Sequence, residues 1–169
     1  MESYKCIIES EKLIKKRFIE FVKKNEDCFE RNLEVGHITA SAFIFDPNNY
    51  KTLLLHHKKL NKWLQPGGHC DGDKDTLSVA IKEVFEETGL VIINQAQPIF
   101  DLDIHMIPEN KGIPEHEHFD VRYLLLADSK IPLIQNHETN QLKWVHLLEM
   151  ENFTTEESLR RMKNKLTLV

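Results

Sequence analysis

The stretch that most constrains this chain is Pro66-Gly67-Gly68-His69-Cys70-Asp71-Gly72, running into residues 76–90 and closed by Thr88-Gly89. It reads as a glycine-rich loop feeding one amphipathic helix that stops at a glycine. Leu77, Ala80, Ile81, Val84, Phe85 and Thr88 predict a mostly apolar face packed into a core. Glu83, Glu86 and Glu87 predict a second face, because positions i, i+3 and i+4 lie together at about 100° per residue. Three like charges this close repel unless something positive sits among them. An oxygen-only, highly charged donor set suits a hard divalent cation such as Mg²⁺, with Mn²⁺ as substitute. An ordinary solvated acidic helix is the plain alternative, and the glycines at entry and exit argue against it.

At these residues the chain resembles the Nudix family, whose box is written G-x5-E-x7-R-E-U-x-E-E-x-G-U with U aliphatic. Gly68, Glu83, Val84, Glu86, Glu87, Gly89 and Leu90 match it, while Lys74 stands for the first Glu and Lys82 for the Arg. The resemblance implies the α/β/α sandwich of that family around a mixed sheet, with an added N-terminal helix. It implies hydrolysis of a pyrophosphate bond in a nucleoside diphosphate linked to another group, with Mg²⁺ held by Glu83, Glu86, Glu87 and the Gly67 carbonyl. Glu83 is the first candidate for general base, with Glu115, Glu117 and Glu138 in reserve. Lys82 keeps the charge of the family's Arg but loses its planar two-pronged donor. Lys74 reverses a charge, although Asp71, Asp73 and Asp75 crowd it. The alternative implied by these two departures is a Nudix-fold module that binds a nucleotide without cleaving it.

The 169 residues are enough for one domain with a sizeable core. We read one Nudix-type domain over residues 1–169, with residues 1–35 as a helical extension packed on it. A net charge of −5 argues against a general nucleic-acid binder that works by neutralising phosphates. Cys6, Cys28 and Cys70 form no C-x-x-C pair, which points to free thiols in a reducing compartment. The first residues lack a secretory apolar segment, and no apolar run is long enough to span a bilayer. A cytoplasmic protein with a small nucleotide or related diphosphate as partner, and no membrane, is the expectation. The oligomeric state stays open, a homodimer included.

Along the chain, residues 10–24 predict a helix with an Ile14, Phe18, Phe21, Val22 stripe. Residues 37–46 and 50–57 predict a hairpin about the Asp46-Pro47-Asn48-Asn49 turn, the first strand apolar on both faces. Trp63 and Leu64 read as core. Lys58 and Lys62 are candidate phosphate contacts, with a solubilising loop as the alternative. His69 is either a loop-fixing hydrogen bonder or a substrate contact. Residues 91–107 carry strand formers around Pro98, among them Val91, Ile92 and Ile93. His116-x-His118, with Glu115 and Glu117, raises a separate zinc site, since alternate strand residues share a face. No cysteine or further close ligand supports it in the sequence. A loop end lending a carboxylate such as Glu117 to the main site, or plain surface polarity, explains it as well. Residues 142–146 predict a last strand, and Thr154-x-x-Glu157 a capping box opening a terminal helix with Leu159, Met162 and Leu166 inward. The proline that marks ADP-ribose hydrolases shortly past the box is absent, with His105 at its spacing, and so is the tyrosine typical of diadenosine-polyphosphate hydrolases.

Overall fold

The computed structural model describes residues 4–92, 98–110 and 112–167. Helix α1 spans Ser10–Lys24, followed by β1 (Gly36–Asp46), β2 (Lys51–His57), β3 (Lys62–Leu64) and β4 (Gly67–His69). Helix α2 covers Thr76–Thr88; then come β5 (Asp101–Ile107), β6 (His116–Leu126), β7 (Thr139–His146), a 3₁₀ turn (Leu147–Asn152) and α3 (Glu157–Leu166). The strands form one mixed sheet in the order β3-β2-β1-β6-β5, with β7 paired to β2 and β4 paired to β1. Strand β1 is its spine. It runs parallel to β6 along ten register pairs, from Gly36↔Glu117 to Phe45↔Leu126. On its other edge it pairs with β2 only at Phe45 and Asp46, and with β4 at Thr39, Ala40 and Ser41. The predicted hairpin therefore forms at its turn and then splays. The gap admits the short glycine strand that leads to α2.

The parity of β1 sorts the layers. Ile38, Ala40, Ala42 and Ile44 face α1 and α2, packing with Phe18, Val79, Ala80, Val84, Phe119 and Val121. Phe18 is fully buried, Phe21 stacks on Phe119 at 3.8 Å between ring centroids, and burying such a ring contributes roughly 2–3 kcal/mol. On the opposite face Phe43 packs with Leu54, Val145, Met150, Leu159 and Met162 beneath α3. Trp63 and Phe153 meet edge to face at the rim of that cluster. Helices thus cover both faces of a mixed sheet, the α/β/α arrangement expected.

Four local expectations are corrected. Strand β1 is buried throughout, but its α3-side face begins polar, with His37, Thr39 and Ser41 preceding Phe43. Val91 and Ile92 form no strand, and β5 starts only at Asp101; Ile93 lies outside the described residues. The last strand opens at Thr139, before residue 142. Helix α3 starts without a capping box: its N-cap residue is Glu156, and Thr154 Oγ1 accepts the Glu156 N–H at 3.3 Å.

The outer helices are tied together by buried charge. Lys165 ion-pairs with Glu11 of α1 and Asp101 of β5, and its Nζ donates to the Tyr4 hydroxyl at 2.8 Å. Arg161 grips Asp101 and Asp103, the latter at 2.9 Å. Arg122 donates to Asp120 at 2.7 Å and to Asp103 at 3.0 Å. Facing guanidinium groups and the His105 ring hold the Asp103 carboxyl well below the usual range, against the opposing effect of burial. No helix among the described residues is long and apolar enough to cross a membrane, and Cys6, Cys28 and Cys70 are unpaired.

Candidate active site

Helix α2 is set by its ends. Asp75 caps it, accepting the Ser78 N–H at 3.1 Å and the Ser78 hydroxyl at 2.8 Å. At the other end Gly89 turns left-handed with φ 73°, and its N–H donates to the Phe85 carbonyl at 2.9 Å. A Cβ on Gly89 would lie 2.7 Å from the Cβ of Ile134, whose N–H donates to the Thr88 carbonyl. The helix end is therefore closed by the connection that leads to Glu138 and β7.

The two faces of α2 are not as separate as the sequence suggests. Seven residues bring a helix back to within about 20°, so Glu87 lies nearly above Ala80 and beside Val84 in the buried arc. Glu87 is only 6% exposed. Phe85, expected inside, is 55% exposed, and Val79 takes its place in the core. Burial pushes the Glu87 carboxyl up to about 8; Glu83, Glu138 and Glu86 add to the rise, and the Gly67 N–H opposes it. That N–H donates to Glu87 Oε2 at 3.0 Å. Glu83 is likewise raised, first by burial and then by Glu86, Glu138 and Asp71, while Lys82 opposes. Its carboxylate lies directly over Gly68, where an added Cβ would come within 2.6 Å of the carboxyl carbon. Glu86 is half-exposed and accepts from Lys82 Nζ at 3.2 Å; Lys82 also stands 3.8 Å from Glu83.

The glycine strand thus orients two carboxylates by two means: a backbone donor to Glu87 and an absent side chain under Glu83. Glu138 approaches electrostatically from the loop before β7, and its carbonyl accepts the Lys58 N–H at 3.0 Å, so Lys58 adjoins it. Gly67 meets the site through its N–H. Among the described residues only His37, His116 and His118 already bring ligand atoms within 4.8 Å of one another. Glu83, Glu86 and Glu87 offer the oxygen chemistry that a hard divalent ion prefers, with Lys82 as a partial counter-charge.

Other candidates are engaged elsewhere. Lys62 ion-pairs with Glu156 at the start of α3, at 2.7 Å. Glu117 accepts two bonds from Arg17 of α1, at 2.7 and 2.8 Å, on the sheet face opposite His116 and His118. The carboxylate that the sequence offered as one possible loan to the main site is thus held by Arg17. Asp71 pairs with Arg31, Asp75 caps α2, and Asp73 accepts the Asp75 N–H, so none of them pairs with Lys74. His69 joins a group of histidines: its ring lies 5.0 Å from that of His37 and 5.1 Å from that of His118. His37 and Arg31 escaped the sequence reading. The alternation His37-x-Thr39-x-Ser41 is the signal that marks a polar half-face on β1. A groove of about 330 Å³ between α1 and α3, lined by Ile8, Ile14, Arg161 and Lys165, contains none of the box carboxylates.

A mixed sheet between helices, with a glycine strand pressed against a glutamate-bearing helix, defines the class. The NUDIX domain model matches residues 36–166, and the chain belongs to the Nudix family. Among curated proteins it is 32% identical over 116 residues to a probable DHNTP pyrophosphohydrolase of Lactococcus lactis subsp. cremoris, covering 68% of this chain and 64% of that protein. It is 30% identical over 118 residues to the m7GpppN-mRNA hydrolase NUDT17 of Xenopus laevis, covering 66% of this chain but 36% of that protein. The chain therefore spans less than two thirds of the length of either relative. The fold matches a C. elegans Ap4A hydrolase binary complex with a TM-score of 0.62 at 19% identity, over 78% of this chain and 95% of that one.

Proposed function

We propose that this protein hydrolyses a pyrophosphate bond in a nucleoside diphosphate linked to another group, or in a related small diphosphate, with Mg²⁺ as cofactor and Mn²⁺ as substitute. The observation that carries the reading is the burial of Glu83 and Glu87 against the glycine strand. A fold holds two carboxylates away from water at such cost when a cation is to be bound between them. Glu83, Glu86 and Glu87 would hold the ion, with the Gly67 carbonyl as a further donor. When bound, the ion polarises phosphoryl oxygens and lowers the pKa of water beside it.

The chain's own residues supply the rest. The Gly67 N–H fixes Glu87, and Gly68 leaves the room Glu83 needs. Burial raises Glu83 above the usual carboxylate value, which makes it the stronger proton acceptor that a general base needs. Glu138, whose charge acts on both Glu83 and Glu87, is the reserve base. Lys58, whose backbone joins that of Glu138, is a candidate phosphate contact. The named relatives point to pterin triphosphates and cap-like dinucleotides as first substrates to try. Free thiols fit a cytoplasmic setting.

A second reading rests on Lys82. Its ammonium already pairs with Glu86 and approaches Glu83, supplying part of the charge that an ion would bring. A nucleotide-binding module with weak metal affinity follows if that pairing persists. Initial rates with Mg²⁺, Mn²⁺ or EDTA decide between them, over dihydroneopterin triphosphate, a capped dinucleotide, dinucleoside polyphosphates, nucleotide sugars and NTPs. Hydrolysis abolished by EDTA and lowered by orders of magnitude in Glu86→Gln or Glu87→Gln supports the enzyme. Nucleotide binding without turnover, unchanged in Lys82→Arg, supports the module.

A further inference from the structure

Five histidines gather on one face of the sheet, and strand register explains why. His37 of β1 is the register partner of His118 of β6, and His118 is the register partner of His105 of β5. His116 precedes His118 by two residues and so shares its face, and His69 of β4 pairs beside Thr39, two residues beyond His37. The His37 ring lies 4.6 Å from that of His118 and 5.0 Å from that of His116. Packing alone explains this poorly. His37 is 2% exposed, yet neither of its ring nitrogens makes a hydrogen bond of good geometry among the described residues, the Leu33 carbonyl acting on the ring only weakly, and His118 Nε2 is buried without a partner. Each such unsatisfied group costs about 1–3 kcal/mol.

We propose that His37, His116 and His118 form a second metal site, specific for a borderline divalent transition ion and above all Zn²⁺. One ligand nitrogen from each of the three lies within 4.8 Å of the others. Zinc–nitrogen bonds of about 2.0–2.1 Å at tetrahedral angles put ligand nitrogens roughly 3.3 Å apart. Closing each pair by about 1.5 Å at most is within reach of side-chain rotation, chiefly by the less buried His116. That residue is already prepared. Its Nδ1 lies 2.8 Å from the Pro114 carbonyl, and a carbonyl only accepts, so Nδ1 carries the proton and the Nε2 lone pair is left for an ion. The all-nitrogen donor set separates this site from the all-oxygen set on α2. Three imidazoles leave a fourth position for water or for the adjacent His69. The ion would pin the first residues of β1 to those of the parallel β6.

The test uses the full chain, stripped with chelator and dialysed against ZnCl₂ near neutral pH, with bound metal counted by mass spectrometry. Co²⁺ serves as the optical probe, since four-coordinate nitrogen sites absorb far more strongly in the visible than octahedral oxygen sites. One Zn²⁺ per chain is expected. Affinity should fall at least about tenfold in His116→Ala, with melting curves confirming that the variant is folded, and stay unchanged in a Glu86→Gln/Glu87→Gln double variant. Zinc should raise the melting temperature of the wild type but not of His116→Ala. Absence of bound Zn²⁺, equal affinity in His116→Ala, or loss of the ion in the double glutamate variant would each overturn the proposal. The last of these places the ion on the box carboxylates and leaves the hydrolase reading untouched.

Discussion

Stripped of metal, the protein should lose stability as the pH rises from about 7 to about 9, and Glu87→Gln should remove a defined share of that loss. In the fold the Glu87 carboxyl is raised from 4.5 to about 8. A group whose folded-state pKa lies above its unfolded value favours folding fully below the unfolded value. That contribution disappears as the pH climbs through the folded one. With about 1.4 kcal/mol for each pH unit of difference, the whole effect is on the order of 5 kcal/mol. Roughly 3 kcal/mol of it has gone by pH 7, and a further 1–1.5 kcal/mol should go by pH 9. His37, His69 and His118, whose values are lowered by burial, act with the opposite sign. The stability they contribute is present above the ordinary histidine value and lost as the pH falls below it, so they do not act in the alkaline window. The Cys28 and Cys70 thiols, raised by burial, add a loss of the same sign as Glu87 toward pH 9, and the difference between wild type and Glu87→Gln removes it. For a chain of this length about 1.4 kcal/mol corresponds to a melting shift of roughly 3–6 °C. The assay is a melting curve in EDTA at several pH values, repeated with saturating Mg²⁺. The Glu87→Gln curve should be flatter by that amount, Glu83 accounting for a residual slope of the same sign. Saturating Mg²⁺ should flatten the wild-type curve by holding Glu87 ionised in the folded state. Parallel slopes for wild type and variant without metal would refute the reasoning.

Two further outcomes follow from the same geometry. Gly68→Ala should leave the melting temperature within a few degrees but cut hydrolysis at least about tenfold, because a methyl group there displaces the Glu83 carboxylate and misplaced catalytic groups cost that much; unchanged rates would separate Glu83 from the reaction. Arg161→Met should destabilise the fold by about 3–5 kcal/mol, measured by urea denaturation, since it leaves Asp101 and Asp103 short of a buried counter-charge; a change under about 1 kcal/mol would show that Arg122 and Lys165 suffice.

The sequence by itself determined the helix on which the proposed metal ligands lie. Its glycine entry, its Gly89 stop and its Glu83/Glu86/Glu87 spacing are local features, and a helix obeys local rules of period and capping. The hairpin turn at Asp46 and the apolar faces of α1 and α3 were legible for the same reason. What the tertiary structure decided depends on distant strands. Glu87 proved buried because a helix turns by slightly less than two full turns in seven residues, which carries it over Ala80 and under the glycine strand. The capacity of Glu117 was taken by Arg17, a residue far off in the chain, and Lys62 was drawn to Glu156. His116 and His118 looked like half of a site, with nothing nearby in sequence to complete it. Only the parallel pairing of β1 with β6 sets His37 beside them. Register between strands is fixed by the packing of the whole sheet, and no single segment contains it.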